Sequence, residues 1–192
     1  MIICKKPLKN PSPQLKSSEA LSLINFTDLN EADYLQVLDW RNHEKVRRWM
    51  TSDQEISLKE HLAFRDVLRS DDSKLYLFVT LQKQSIGVLD FYAINPRESQ
   101  CYYGYYLKPG LIGSSLGLLM EFLAAEVGFY HFNQSKVIAE TLPDNSSSLR
   151  LHKFFGFEEL GKNDKGLLVS HLLCSDWEER RKVIIPQIER LI

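Results

Sequence analysis

The chain has 192 residues, with 24 Lys plus Arg set against 25 Asp plus Glu and a formal net charge of −1. At 44% hydrophobic and 26% charged residues it has enough apolar content for one folded core, which excludes a chain disordered throughout. The charge balance argues against a nucleic-acid partner, and no apolar run approaches the roughly 18 residues of a membrane span, so no membrane partner is expected either.

Residues 1–20 carry three prolines and several lysines, with Glu19 the only acid. They read as a flexible basic arm ahead of a domain over 21–192. Leu21–Phe26 alternates and predicts a strand. Asn30 followed by Asp33 predicts a helix start, with Leu35, Leu38 and Trp40 on its apolar face. A short helical piece over Glu44–Met50 comes next. Ser57-Leu-Lys-Glu60 is a capping box that opens a helix to about Arg69. Leu75–Leu81, Ile86–Ile94 and Gln100–Leu107 predict three antiparallel strands joined by polar turns. A Gly/Ser-rich loop, Pro109–Ser115, leads to an apolar helix from Leu116 to about Tyr130. Lys136–Leu142 predicts a strand, and Pro143-Asp-Asn145 introduces a helix ending at Gly156. Phe157–Leu160 and Leu167–Cys174 form a final hairpin. Ser175-Asp-Trp-Glu178 reads as a second capping box, opening a terminal helix that Pro186 should kink or end. Its Ile184, Ile188 and Leu191 suit either a homodimer contact or packing on the chain's own sheet. Three meander strands before a strand–helix–strand crossover give an α+β (mixed α/β) fold around one central, mostly antiparallel seven-stranded sheet flanked by helices.

Two segments suggest chemistry. Leu107–Gly117 is a Gly/Ser-rich strand-to-helix loop, which lets backbone N–H groups approach a phosphate at a helix N-terminus. It is neither a Walker loop nor a G-x-G-x-x-G fingerprint, and taken alone it reads better as an ordinary helix-initiating loop. The second is Asn145–Phe157, where Asn145 can cap a helix, Gly156 can end it, and His152 follows Asn145 by two turns.

Together the two segments resemble the acetyl-CoA-binding core of the Gcn5-related N-acetyltransferase (GNAT) superfamily. That core has Q/R-x-x-G-x-G/A before a helix and N-x-x-A-x-x-L-Y-x-x-x-G-F some thirty residues later. Here Gly110, Gly113 and Ser115 stand in the first pattern. Asn145, Ser148, Leu151, His152, Gly156 and Phe157 stand in the second, with Ser148 for Ala and His152 for Tyr. Trp40-Arg-Asn-His43, Met50, Ile56–Phe64, Ile86–Phe91 and Gly104–Pro109 are similar to those members that acetylate a UDP-linked amino sugar for pseudaminic acid synthesis and flagellin glycosylation.

The resemblance implies acetyl-CoA as cosubstrate, no metal, and direct attack of an amine on the thioester. It places the pantetheine on the backbone of Leu107 and Ile112, and the pyrophosphate on the N–H groups of Gly113, Ser114, Ser115 and Leu116, with Asn145 and Ser148 beside them. His152 takes the place of the tyrosine that serves the leaving sulfur, with Tyr102, Tyr103, Tyr105, Tyr106 or a water as alternatives. Glu140, in an apolar strand where burial would raise its basicity, and Asp90 are the candidate bases, acting through an ordered water. Glu140 on an exposed strand face is the other reading. Arg41 and His61 would meet the diphosphate of a UDP-amino sugar; without the resemblance, Arg41 reads as a helix-surface residue paired with Glu44 or Asp39. Met50, Phe64, Tyr102 and Tyr103 would line the sugar pocket, while Trp40 and Trp49 are assigned to packing. Two rivals are kept: an acetyltransferase for protein N-termini or another small amine, and a non-catalytic acetyl-CoA-binding module. The five histidines are dispersed without ligand spacing, which argues against a metal enzyme. Three scattered cysteines with no C-x-x-C point to a reducing cytoplasm.

Overall fold

A computed structural model describes Leu8–Lys9 and residues 20–192. The elements in chain order are β1 (Leu8–Lys9), β2 (Leu21–Asn25), α1 (Glu31–Asn42), the one-turn α2 (Glu44–Arg47), α3 (Leu58–Ser70), β3 (Leu75–Leu81), β4 (Gln84–Asn95), β5 (Gln100–Leu107), α4 (Leu116–Glu126), β6 (Lys136–Thr141), α5 (Ser146–Phe155), β7 (Glu158–Lys162), β8 (Leu168–Leu173) and α6 (Cys174–Ile188). The strands form one sheet in the order β1-β2-β3-β4-β5-β6-β8-β7. The seven strands expected from the sequence are joined at the edge by the two-residue β1, which pairs with β2. The rest of the segment read as an arm lies outside the described residues.

Local chemistry sets the helix starts. Asn30 caps α1 by accepting from the Asp33 N–H at 2.9 Å. Ser57 and Glu60 complete the capping box of α3, with Glu60 N–H donating to Ser57 Oγ and Ser57 N–H to Glu60 Oε2. Gly156 ends α5 at φ +90°, a conformation that costs a residue with a Cβ far more than it costs glycine. Two expectations fail at α6. Its first residue follows β8 directly, so Leu173 is both the last strand residue and the N-cap, and no side-chain cap forms. Ser175 instead donates to Asp176. Pro186 falls in the last turn, where little helix remains to disrupt, and α6 runs through it to Ile188. The apolar helix of α4 passes into a π-helical turn at Val127–His131.

Side-chain alternation divides the core between the two faces of the sheet. Leu77, Leu89, Phe91, Cys101 and Tyr103 point to α4, α5 and α6, where Leu119, Phe122, Phe155, Trp177, Ile184 and Ile188 close the larger core. Ile184 and Ile188 therefore pack on their own chain. Phe78 and Val88 point the other way and meet Phe26, Tyr34, Val37, Trp40 and Leu68 from α1 and α3. Trp40 stacks on Phe78 with centroids 5.6 Å apart, the packing role expected for it. No helix among the described residues is long and apolar enough to cross a membrane.

Candidate active site

The site begins where two strands part. β5 and β6 are parallel and pair through Gln100–Tyr103 against Lys136–Ala139 only. Beyond that point Gly104–Leu107 keeps its partner β4, and Glu140–Thr141 keeps β8, but the two no longer pair with each other. The gap opens into a cavity of about 1010 Å³ that reaches both faces of the sheet. The loop before α4 and the first turns of α5 form one end; α1, the segment after α2, and α3 form the other.

At the first end, Leu107, Ile112, Gly113, Ser114 and Ser115 all line the cavity. Gly113 has φ +87°, which turns the loop toward α4. Ser115 is the N-cap of α4 but gives no side-chain cap, and Ser114 Oγ accepts the Leu116 N–H at 3.3 Å. Asn145 caps α5 through the Ser148 N–H at 3.3 Å, and both residues line the cavity. The Leu116 side chain packs on the core and does not line the cavity, so the backbone N–H is what this residue has to offer a phosphate.

Two carboxylates, Asp90 and Glu140, line the middle of the cavity, and a third, Glu121, lies buried behind its wall. Asp90 sits on β4 opposite Gly104, where a Cβ would come within 3.2 Å of its Oδ1, so the glycine leaves room for the carboxyl. Burial pushes its pKa up to about 7. Tyr76 and Tyr106 lie beside it, and their phenols are raised well above the usual range: Tyr76 first by the Asp90 charge, Tyr106 first by burial. Glu140 is held from two sides. Tyr92 donates to its Oε2 at 3.0 Å and Asn163 Nδ2 donates to its Oε1 at 2.8 Å. Asn163 is itself fixed by accepting the N–H groups of Lys165 and Leu167.

Glu121 comes from α4 on the opposite face and is 1% exposed. The Tyr103 hydroxyl donates to its Oε1, and His152 Nε2 stands 3.6 Å from the same oxygen. Burial, then the Glu121 charge, raise the phenols of Tyr103 and Tyr105 well above the usual range. His152 is 5% exposed, lines the cavity, and packs 5.1 Å from the Phe157 ring. Its Nδ1 is buried without a hydrogen-bond partner.

The far end holds Arg41, Lys45, Met50, Phe64 and Lys74. Arg41 is paired with neither Glu44 nor Asp39. Its Nη2 donates to the Ser52 carbonyl at 2.9 Å, and its Nη1 is buried without a partner. Trp49, assigned to packing, lines the cavity instead. His61 does not supply a cation. It is 4% exposed and stacks on Tyr34, its Nε2 donates to the Tyr34 carbonyl at 2.8 Å, and desolvation lowers its pKa. Of the two tyrosines expected in a sugar pocket, Tyr103 lines the cavity and Tyr102 does not. Tyr102 tilts against Tyr92 at 5.3 Å; strand alternation turns Tyr103 to the other face of β5, toward α4, where its hydroxyl donates to Glu121.

Several residues at the site were not singled out from the sequence. Glu121 had a signal: it is the lone charge in the apolar run Leu116–Ala125, the reasoning applied to Glu140. Asn163 and Lys45 had none, since each sits in an ordinary polar stretch.

A model of the acetyltransferase (GNAT) domain matches residues 24–158. The acetyltransferase PseH of Campylobacter jejuni subsp. jejuni serotype O:23/36 (strain 81-176) is 33% identical over 133 residues, which covers 69% of this chain and 82% of that protein. The crystal structure of Campylobacter jejuni N-acetyltransferase PseH in complex with acetyl coenzyme A is 28% identical, with a TM-score of 0.67 over 80% of this chain and 99% of that one. The spermidine N-acetyltransferase of Vibrio cholerae in complex with CoA and spermine is 18% identical, with a TM-score of 0.72 over 83% of this chain and 98% of that one, and is a likeness of fold alone.

Proposed function

The chain belongs to the GNAT acetyltransferase family, an acetyl-CoA-dependent N-acetyltransferase, and from that premise we propose that its acceptor is the 4-amino group of a UDP-linked amino-dideoxy sugar, as in pseudaminic acid synthesis and flagellin glycosylation. The observation that carries the acceptor class is Arg41. A buried guanidinium nitrogen without a partner, at the cavity end away from the Gly113 loop, suits a diphosphate, and exposed Lys45 adds a second cation. Met50 and Phe64 supply an apolar wall for a deoxy sugar. Residues 21–192 are assigned to one catalytic domain, working in the cytoplasm where both substrates are available.

The cavity fits acetyl-CoA. Gly104–Leu107 offers a strand edge with no partner on the gap side, suited to the pantetheine amides. The Gly113–Leu116 backbone supplies N–H groups for the pyrophosphate; those of Ser114 and Leu116, which donate to the Leu111 carbonyl and to Ser114 Oγ in the free protein, would exchange those partners for it. The amine nitrogen attacks the thioester carbon directly, and no covalent enzyme intermediate is needed because both substrates share one cavity. Asp90 receives the proton of the amine, directly or through a water, being the carboxyl whose burial keeps it basic near neutrality. Glu140, with each oxygen already accepting a hydrogen bond, orders Tyr92 and the acceptor around Asp90. His152 gives the leaving thiolate its proton.

Asp90 and Glu140 favour a second reading, a cationic small amine or a protein N-terminus. Release of CoA thiol is measured with UDP-4-amino-4,6-dideoxy-N-acetyl-altrosamine, spermidine and a peptide amine in parallel. Turnover confined to the sugar is expected, with loss of saturation by the sugar in Arg41→Ala. Turnover on the peptide or spermidine alone overturns the acceptor, and binding of acetyl-CoA with no thiol release from any amine leaves a non-catalytic module.

A further inference from the structure

We propose that Glu121 is a positioning residue for the transfer: from the buried face of the sheet it fixes the His152 ring so that Nδ1 is the nitrogen presented to the leaving sulfur. The inference rests on the assignment of His152 as proton donor made above.

A carboxylate at 1% exposure inside an apolar helix is costly unless its surroundings answer it. Its neighbours are unusual for a structural acid. The Tyr103 hydroxyl donates to Oε1, Tyr105 adjoins it, and the ion-pair partner in range among the described residues is His152, 3.6 Å away. Among the described residues no Arg or Lys forms an ion pair with Glu121. An imidazole nitrogen facing a carboxylate carries the hydrogen, so Nε2 is the protonated nitrogen of the neutral ring. The other nitrogen, Nδ1, has no partner in the protein and belongs to a residue on the cavity wall. The ring is also held by packing, with Phe157 at 5.1 Å and Tyr103 edge-on at 6.5 Å. A carboxylate behind, a histidine between and a reacting atom in front is the arrangement by which an acid fixes a tautomer and steadies the imidazolium.

The proton balance is complete without a further reagent. As the tetrahedral adduct collapses, the carbon–sulfur bond breaks and its electron pair stays on sulfur. The imidazolium gives its Nδ1 proton to that sulfur and is left as the Nε2–H form against Glu121. The amine proton has meanwhile gone to Asp90. Before the next turnover Asp90 releases that proton to water and His152 takes one from water. Tyr103 cannot substitute, because its hydroxyl proton is committed to Glu121.

The test uses full-length enzyme carrying Glu121→Gln, which removes the charge and offers an N–H donor as well as an acceptor. With acetyl-CoA and the UDP-sugar, kcat is expected to fall about ten- to hundredfold while the KM for acetyl-CoA stays within about twofold. The double variant Glu121→Gln/His152→Ala is expected to be no slower than His152→Ala alone. Nitrogen-15 spectra of histidine-labelled protein are expected to show His152 as the Nε2–H tautomer in the wild type and as a mixture in Glu121→Gln. Undiminished kcat in Glu121→Gln, losses that multiply in the double variant, or a wild-type His152 in the Nδ1–H form overturns the proposal. Full turnover in His152→Ala overturns the parent assignment instead. The tautomer measurement needs no acceptor and reads the wild type, so it decides the point whichever amine is used and even where Glu121→Gln does not fold.

Discussion

Glu121 and Glu126 stand about one and a half turns apart on α4, and both are 1% exposed. Glu126 meets a complete set of fixed donors. Trp177 Nε1 donates to it at 3.0 Å, and Arg181 donates from Nε and Nη2 at 2.6 Å each, a two-pronged pair whose guanidinium lies over the Tyr130 ring. Glu121 has no such fork; its neighbours are two phenols and an imidazole on the cavity wall. The same residue type, helix and burial therefore serve different ends. A buried acid matched by a permanent cation ties elements together, here α4 to α6. A buried acid matched by groups that exchange protons is connected to chemistry.

The largest effect separating the two belongs to the first. Arg181→Ala leaves Glu126 charged in the core without its cation and with the Trp177 N–H alone of the donors named above, and a loss of about 3–5 kcal/mol is expected by urea denaturation. The activity of the molecules that remain folded should be unchanged. A cost under about 1 kcal/mol would end the contrast. Glu121→Gln should do the opposite, staying within about 1 kcal/mol of the wild type in stability while losing turnover as described above.

Asp90 extends the comparison to an acid with no ion-pair partner among the described residues. Its folded pKa of about 7 lies above the unfolded value of 3.8, so the folded state binds the extra proton. Its contribution to stability is thus full below about pH 4 and is lost as pH rises through 7, by no more than about 4 kcal/mol and less where cavity water reaches the carboxyl. Asp90→Asn should abolish that part of the pH dependence in denaturation curves. The same variant should lose the rise in kcat/KM between pH 6 and 8 that accompanies ionisation of the base. A wild-type profile flat over that range would break the assignment. The smallest effect is expected at Asn163. Asn163→Ala removes one donor from Glu140, worth about 1 kcal/mol, and should lower kcat/KM about fivefold. A larger loss than that of Glu140→Gln would show that Asn163 acts other than through Glu140.

Much of the fold was legible because it is written in local patterns. Alternation marked the meander, and Asn30, Ser57 with Glu60, and Gly156 marked helix ends through caps that depend on residues three or four apart. The misreadings at α6 are local rules overruled by position: a strand running straight into a helix left no room for a cap at Ser175, and a proline in a last turn breaks little. Within the site, Gly113 and Ser115 of the first family motif and Asn145, Ser148, Leu151 and His152 of the second reached the cavity, since a loop and a helix start are also local. What sequence could not supply was which face of β5 the tyrosines take at the point of divergence, or that His61 would spend its ring on the Tyr34 carbonyl. Those facts depend on pairings across 18 and 27 residues.

The parting of β5 from β6 has a further consequence, in exchange with solvent. Amides of Gly104–Leu107 that face the gap lack a strand partner, although β3 and β4 are each paired on both sides. In deuterium exchange this stretch would behave like a sheet edge in the middle of a sheet, open in the free enzyme and slowed when a ligand's own amides take the empty places. The molecule thus carries a reporter of occupancy in its backbone, which needs no label and no turnover.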